Sequence, residues 1–193
     1  AEASGVAIHG AEHFFERNGF LTCTAAPIMS SKGELLGILD ISGDQRGGHP
    51  NTLGLVNTAA NMIENRLVIA SSQRDIRLHL HPQSEGIGTV AEGIVALSGD
   101  GWLVGANRNA LAMLQLRSAD LNALPLGRLV DIALDELLAR HHRRPGQPTQ
   151  IRLRNGQVLY VLVHTNSATV VAAPPKAVVA PADPADALCA LDT

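Results

Sequence analysis

Residues 20–42 read FLTCTAAPIMSSKGELLGILDIS. Two apolar runs, 20–29 and 34–42, flank the polar tetrapeptide Ser30-Ser31-Lys32-Gly33. That pattern predicts two strands joined by a hairpin loop. The second run, Leu35-Leu36-Gly37-Ile38-Leu39-Asp40-Ile41, is nearly continuous and apolar, which favours a central strand over an edge. A polar, glycine-rich loop follows at 44–49, and from Pro50 the period changes. Leu53, Val56, Ala60, Ile63, Leu67 and Ala70 recur at spacings of three and four, a heptad-like stripe on a helix. The helix is expected to continue toward His81 and to stop at Pro82. Its stripe can pack on the chain's own sheet, form a parallel dimer seam, or do both along its length.

Upstream of this stretch, 6–9 reads as a short strand broken by Gly10. Residues 11–18 read as a short helix that offers Phe14 and Phe15 to a core, ended by Asn18-Gly19. Downstream, 83–88 is a break bounded by proline and glycine, and it marks the expected domain boundary. A second unit follows. Strands at 93–97 and 102–105 flank the turn Gly99-Asp100-Gly101. Asn107 is placed to cap a helix running to Leu116, with Leu111 and Leu114 inward. One or two helical turns fall within 120–138. Strands at 148–153 and 157–163 flank Arg154-Asn155-Gly156, where Asn-Gly favours a two-residue type I′ turn. A last strand is expected at 169–172, and the Ala/Pro-rich stretch after it reads as an extended linker. The expected fold class is α+β: antiparallel sheets with helices packed to one side, in two units joined by a long helix.

Composition narrows the function classes. The 193 residues are 46% hydrophobic, enough for one mid-sized domain or two small ones. A net charge of −3 leaves no electrostatic footprint for nucleic acid. Aromatics make up 3% of residues, which argues against a base-stacking platform or an aromatic cage. Two widely spaced cysteines, Cys23 and Cys189, give no disulfide framework, so reduced thiols in a cytoplasmic setting are expected. The apolar stretches are too short or too broken to span a membrane.

The chemistry-bearing residues are sparse. His9 and His13 have a metal-ligand spacing, but Gly10 interrupts any helix between them and no third ligand is evident. His79-Leu80-His81 would put both imidazoles on one side of a strand, yet falls where the long helix is expected to end. His141-His142-Arg143-Arg144 reads as a solvated basic helix end. Cys23 reads as a buried small hydrophobe, a redox role requiring exposure. Asp40 and Asp44 read as turn formers beside a strand end. No catalytic, metal or cofactor residues are assigned. The second unit could enclose a small ligand between sheet and helices, and Leu97, Trp102, Leu111, Leu114 and Val161 are the candidate lining; a filled core without a cavity is the alternative.

Several stretches together resemble a known family. They are His9-Gly10-Ala11-Glu12-His13-Phe14-Phe15 with Leu21-Thr22-Cys23-Thr24-Ala25-Ala26-Pro27-Ile28, then Gly37-Ile38-Leu39-Asp40-Ile41-Ser42-Gly43-Asp44, then Met62-Ile63-Glu64-Asn65-Arg66-Leu67. This set, spanning 6–70, resembles the sensory region of sigma-54-dependent transcriptional activators of the acetoin catabolism regulator type. Glu92-Gly93-Ile94-Val95-Ala96 and Asp100 to Arg108 resemble that family's PAS-like unit. The resemblance implies the C-terminal portion of a GAF domain at 1–70, a signalling-helix end and linker at 71–85, a PAS-like domain at 86–173, and a linker toward an ATPase domain at 174–193. It also implies a small-molecule effector of acetoin-like chemistry and a homodimer through the long helix. DNA and sigma-54 RNA polymerase would be met only through domains outside this chain. The sequence contains no GxxxxGK[ST] loop, so ATP hydrolysis is not expected of it.

Overall fold

The computed structural model describes residues 4–165. The first sheet is a meander of β1 (Val6–His9), β2 (Leu21–Met29) and β3 (Leu35–Asp44), all antiparallel. Helix α1 (Thr52–Ser71) crosses its inner face, where Val56 and Ala60 pack with Ala26, Ile28 and Leu39. The second sheet holds β4 (Ile76–His81), β5 (Gly93–Leu97), β6 (Leu103–Ala106), β7 (Thr149–Arg152) and β8 (Val158–His164), in the spatial order β6-β5-β4-β8-β7. Helices α2 (Arg108–Leu114) and α3 (Leu134–Arg143) cover one face of it. Leu78, Leu97, Leu103, Leu137, Leu159 and Val161 form a closed apolar core there. Each such fully buried side chain contributes about 1.5–3 kcal/mol relative to leaving it exposed.

The expected α+β arrangement of antiparallel sheets is observed. The long helix, however, ends at Ser71 instead of running to His81. Ser71 and Ser72 turn their hydroxyls back onto the Val68 carbonyl, closing the last turn. After that the sequence Ile76-Arg77-Leu78-His79-Leu80-His81 alternates with period two, a strand signal. It forms β4, which is the middle strand of the second sheet. The second sheet therefore starts before the break at 83–88, inside the segment read as helix end and linker.

Other expectations are also corrected. The run 35–41 is an edge of the described sheet, paired with β2 alone, and Leu35, Leu36, Ile38 and Ile41 remain exposed. An apolar run does not by itself distinguish a central strand from an edge. Residues 11–18 form no α-helix. Short 3-10 turns at Gly10–Glu12 and Glu16–Asn18 replace it, and Phe14 is 92% exposed. Helix α2 stops two residues early because Gln115 takes a left-handed conformation at φ 56°.

One hairpin device recurs. In Ser31-Lys32-Gly33, Gly99-Asp100-Gly101 and Arg154-Asn155-Gly156 the glycine N–H bonds back to the residue before the loop, at 2.9 Å each time. The three glycines have φ of 80°, 81° and 89°. These are three-residue loops, a type I turn closed by a left-handed glycine. The type I′ turn expected at Asn155-Gly156 is not formed, because only Gly156 has positive φ. The strand expected at 169–172 and the linker at 174–193 lie outside the described residues.

Candidate functional site

The two sheets meet across a buried polar network centred on α1. Three residues that α1 turns inward, Val56, Ala60 and Val68, are apolar, but Glu64 and Asn65 are buried beside them. Glu64 is 1% exposed. Its carboxylate accepts the Met29 N–H of β2 at 2.8 Å and the Arg108 Nε–H at 2.8 Å. A second Arg108 donor, Nη2, bonds both the same carboxylate and the Pro27 carbonyl. A bidentate guanidinium–carboxylate pair is among the strongest side-chain hydrogen-bonding arrangements. Arg108 is the first residue of α2, so the pair ties β2, α1 and α2 at one point.

Asn107 continues the network one residue away. Its Oδ1 caps α2 by accepting from Ala110 N–H at 2.8 Å and also accepts from Ile94 N–H at 2.9 Å. Its Nδ2 donates to Asn65 Oδ1 at 2.7 Å and to the Glu92 carbonyl at 2.9 Å. Every hydrogen-bonding position of this amide is thus used. Beyond it, Glu92 Oε2 accepts from Gly88 N–H at 2.7 Å and from His79 Nδ1 at 2.9 Å. The His79 ring lies 4.5 Å from that of His164, centroid to centroid.

Burial works against the Glu92 carboxylate, yet the His79 hydrogen bond, the Gly88 amide and the two imidazoles outweigh it. They hold Glu92 below the ordinary carboxylate range. Burial first, then the positive charge of His79 and Arg77, lowers the pKa of His164.

A cleft of about 180 Å³ opens beside this clasp, lined by Met29, Ser30, Gly33, Ala106, Arg108, Leu111 and Ser118. It lies between the β2–β3 hairpin and α2. Of the five residues named as pocket candidates, Leu111 lines this cleft and Leu114 lines a separate one near Leu153. Leu97 and Val161 are 0% and 1% exposed within the core, and Trp102 is 43% exposed with an isolated bridge to Pro125. The structure does not gather these five around one space.

The six helix candidates also divide. Val56 and Ala60 are buried on β2, Leu53 and Leu67 are half-buried, and Ile63 and Ala70 are exposed. The opposite face of α1 carries Leu55 at 62% and Met62 at 57% exposure, with half-buried Ile69 a further seven residues on. Sequence reading passed over Glu64, Asn65, Glu92 and Arg108 as chemistry, although all four stand in the motifs that carry the family resemblance. The usable signal was a charged and an amide residue interrupting an apolar helical stripe.

Residues 1–67 match the family model of the GAF domain. That match takes in about a third of the chain. The chain is 30% identical over 157 residues to a signal-transduction and transcriptional-control protein of Clostridium beijerinckii, covering 81% of this chain and 23% of that protein. It is 32% identical over 176 residues to the acetoin catabolism regulatory protein of Cupriavidus necator, covering 84% and 26%. A shorter match, 37% over 73 residues, is to the acetoin dehydrogenase operon transcriptional activator of Bacillus subtilis, covering 38% and 12%. The chain thus spans about a quarter or less of the length of these relatives. A crystal structure of the E. coli DhaR(N)–DhaL complex aligns over 85% of this chain and 62% of that one, with 14% identity and a TM-score of 0.35, too low to equate the folds. The resemblance of the GAF portion to acetoin-type transcriptional regulators is upheld. Among the described residues no helix is long and apolar enough to cross a membrane.

Proposed function

We propose that this chain is the effector-sensing segment of a sigma-54-dependent bacterial transcriptional activator, and that it is regulatory, not catalytic. The GAF portion and a PAS-like second unit share α1 as a common wall. The observation that carries the reading is the Glu64–Arg108 clasp, which joins β2 of the GAF portion to α2 of the second unit through that helix. A small effector related to acetoin enters the cleft beside Arg108, with Leu111 in its wall. Its binding shifts the clasp between two arrangements, and α1 passes the shift to an ATPase domain and DNA-binding domain outside this chain. Such a ligand acts only through its differential affinity for the two arrangements.

The test is thermal unfolding of the purified regulator against acetoin and related small hydroxy ketones. A ligand at one hundred times its Kd adds about 2.7 kcal/mol of stability. A rise of several degrees in Tm, lost when Arg108 is replaced by Ala in a variant that still folds, supports the reading. No shift with any member of the series would overturn it.

A second reading is a ligand-free dimerisation scaffold, favoured by the filled core around Leu97 and Val161. In both readings two copies associate through the α1 face that carries exposed Leu55 and Met62 and half-buried Ile69, whose heptad spacing suits a parallel seam. Lack of any ligand shift in a protein that remains dimeric would select the scaffold.

A further inference from the structure

Cys23 lies on the face of the first sheet turned away from α1. Its neighbours in β2, Thr24 and Ala26, are buried, Ala26 within the cluster under the helix. By strand alternation Cys23 points to the other side. It is half-buried, not the fully buried small hydrophobe that its mid-strand position suggested. His13, in the loop after β1, brings Nε2 to 3.3 Å from Cys23 Sγ. The other ring nitrogen, Nδ1, stands 2.9 Å from the Gly10 carbonyl oxygen. A carbonyl only accepts, so Nδ1 carries the hydrogen, and Nε2 is the nitrogen left to take a proton from the thiol. Ser42, paired with Cys23 across β2 and β3, places its hydroxyl 3.2 Å from the same sulfur.

A nucleophile, a base within reach and a third group orienting that base are the parts of an activated nucleophile. We propose that Cys23 is a thiol activated by His13, a covalent modification site for small carbonyl electrophiles. As sulfur attacks the carbonyl carbon, the S–H proton passes to His13 Nε2. The S–C bond forms, the C=O π pair moves to oxygen, and the imidazolium returns the proton there. The product is a hemithioacetal, reached without oxidant or leaving group. His13 N–H and Ser42 O–H both flank the sulfur and can donate to the new oxygen, which is why a carbonyl suits the site.

Ile8 of β1 brings no charge. Asp40 of β3 opposes activation: its carboxylate lies 2.6 Å from Ser42 Oγ and competes for that hydroxyl's hydrogen. Removing its charge therefore speeds the reaction, which a purely structural role for the cluster would not do. The site is separate from the clasp and does not depend on the effector reading.

The experiment is iodoacetamide alkylation of the purified protein, followed at Cys23 by peptide mass spectrometry across pH. The expected native rate near neutral pH is about tenfold above that of the same thiol in urea. His13→Gln should abolish the excess, and Asp40→Asn should raise the rate. Preincubation with methylglyoxal should slow alkylation at Cys23 in the native protein. Equal rates in native and urea-unfolded wild type would overturn the activation, with no dependence on whether a variant folds. Rapid alkylation without protection by methylglyoxal would overturn the carbonyl assignment.

Discussion

Arg108 and Glu64, 44 positions apart in the chain, close onto each other with the guanidinium also held by the Pro27 carbonyl. Glu64 is shut away from water, while Arg108 keeps 27% of its side chain exposed. Removing one partner leaves a buried charge unpaired, at a cost of about 3–5 kcal/mol. Arg108→Ala should therefore lower the urea midpoint strongly. The double replacement Glu64→Met with Arg108→Met should cost much less than the sum of the single changes. Equilibrium unfolding of the four proteins checks this, and additive losses would show that the two groups do not act as a pair.

Asn107 satisfies four polar partners from a side chain that is 2% exposed. Asn107→Ala removes the α2 cap and strands the Ile94 N–H inside the core. The expected loss is about 2–3 kcal/mol, from the lost cap and the unsatisfied donor together. Asn107→Asp keeps the cap acceptor but sets a buried carboxylate oxygen against Asn65 Oδ1 and the Glu92 carbonyl, and should be destabilising as well. A midpoint for Asn107→Ala equal to that of the wild type would contradict the accounting.

Acid should weaken the second unit in two stages. His164 has a folded pKa below its ordinary 6.5, so the unfolded chain binds more protons. Its contribution is complete above about pH 6.5 and is lost as the pH falls through the folded value. Glu92 is lowered from its ordinary 4.5, so its contribution is present above that value and is lost at still lower pH. Stability measured from pH 8 to pH 3 should decline on the acid side, and Glu92→Gln should flatten the lower stage. An unchanged profile in that variant would remove Glu92 from the explanation.

The exposed face of α1 gives a prediction about assembly. Leu55→Lys with Met62→Lys changes residues that are 62% and 57% exposed, so thermal stability of the single chain should change by no more than about 0.5 kcal/mol per site. Sedimentation should nevertheless show a shift from dimer to monomer. A wild type that is monomeric at high concentration would dispose of the seam.

The local signals in the chain were strong where turn chemistry or periodicity decided the outcome. Ser31-Lys32-Gly33 and Gly99-Asp100-Gly101 mark hairpins because only glycine readily takes the left-handed position that closes each loop. Asn107 before a helical run announces its cap. The GAF portion was legible as motifs. What sequence periodicity did not decide was the partner of each apolar face. The stripe from Leu53 to Ala70 is divided between burial and exposure because only one face of α1 packs on β2. Ile76–His81 carries a strand alternation, but its place as the middle strand comes from pairing with β5 on one side and β8 on the other. Glu64 and Arg108, or His13 and Cys23, acquire their chemistry only when the fold brings them within hydrogen-bonding distance. The sequence by itself determined the hairpin turns, the α2 cap and the resemblance to acetoin-type regulators; tertiary packing decided which polar groups were desolvated together, and desolvation is what makes those contacts strong.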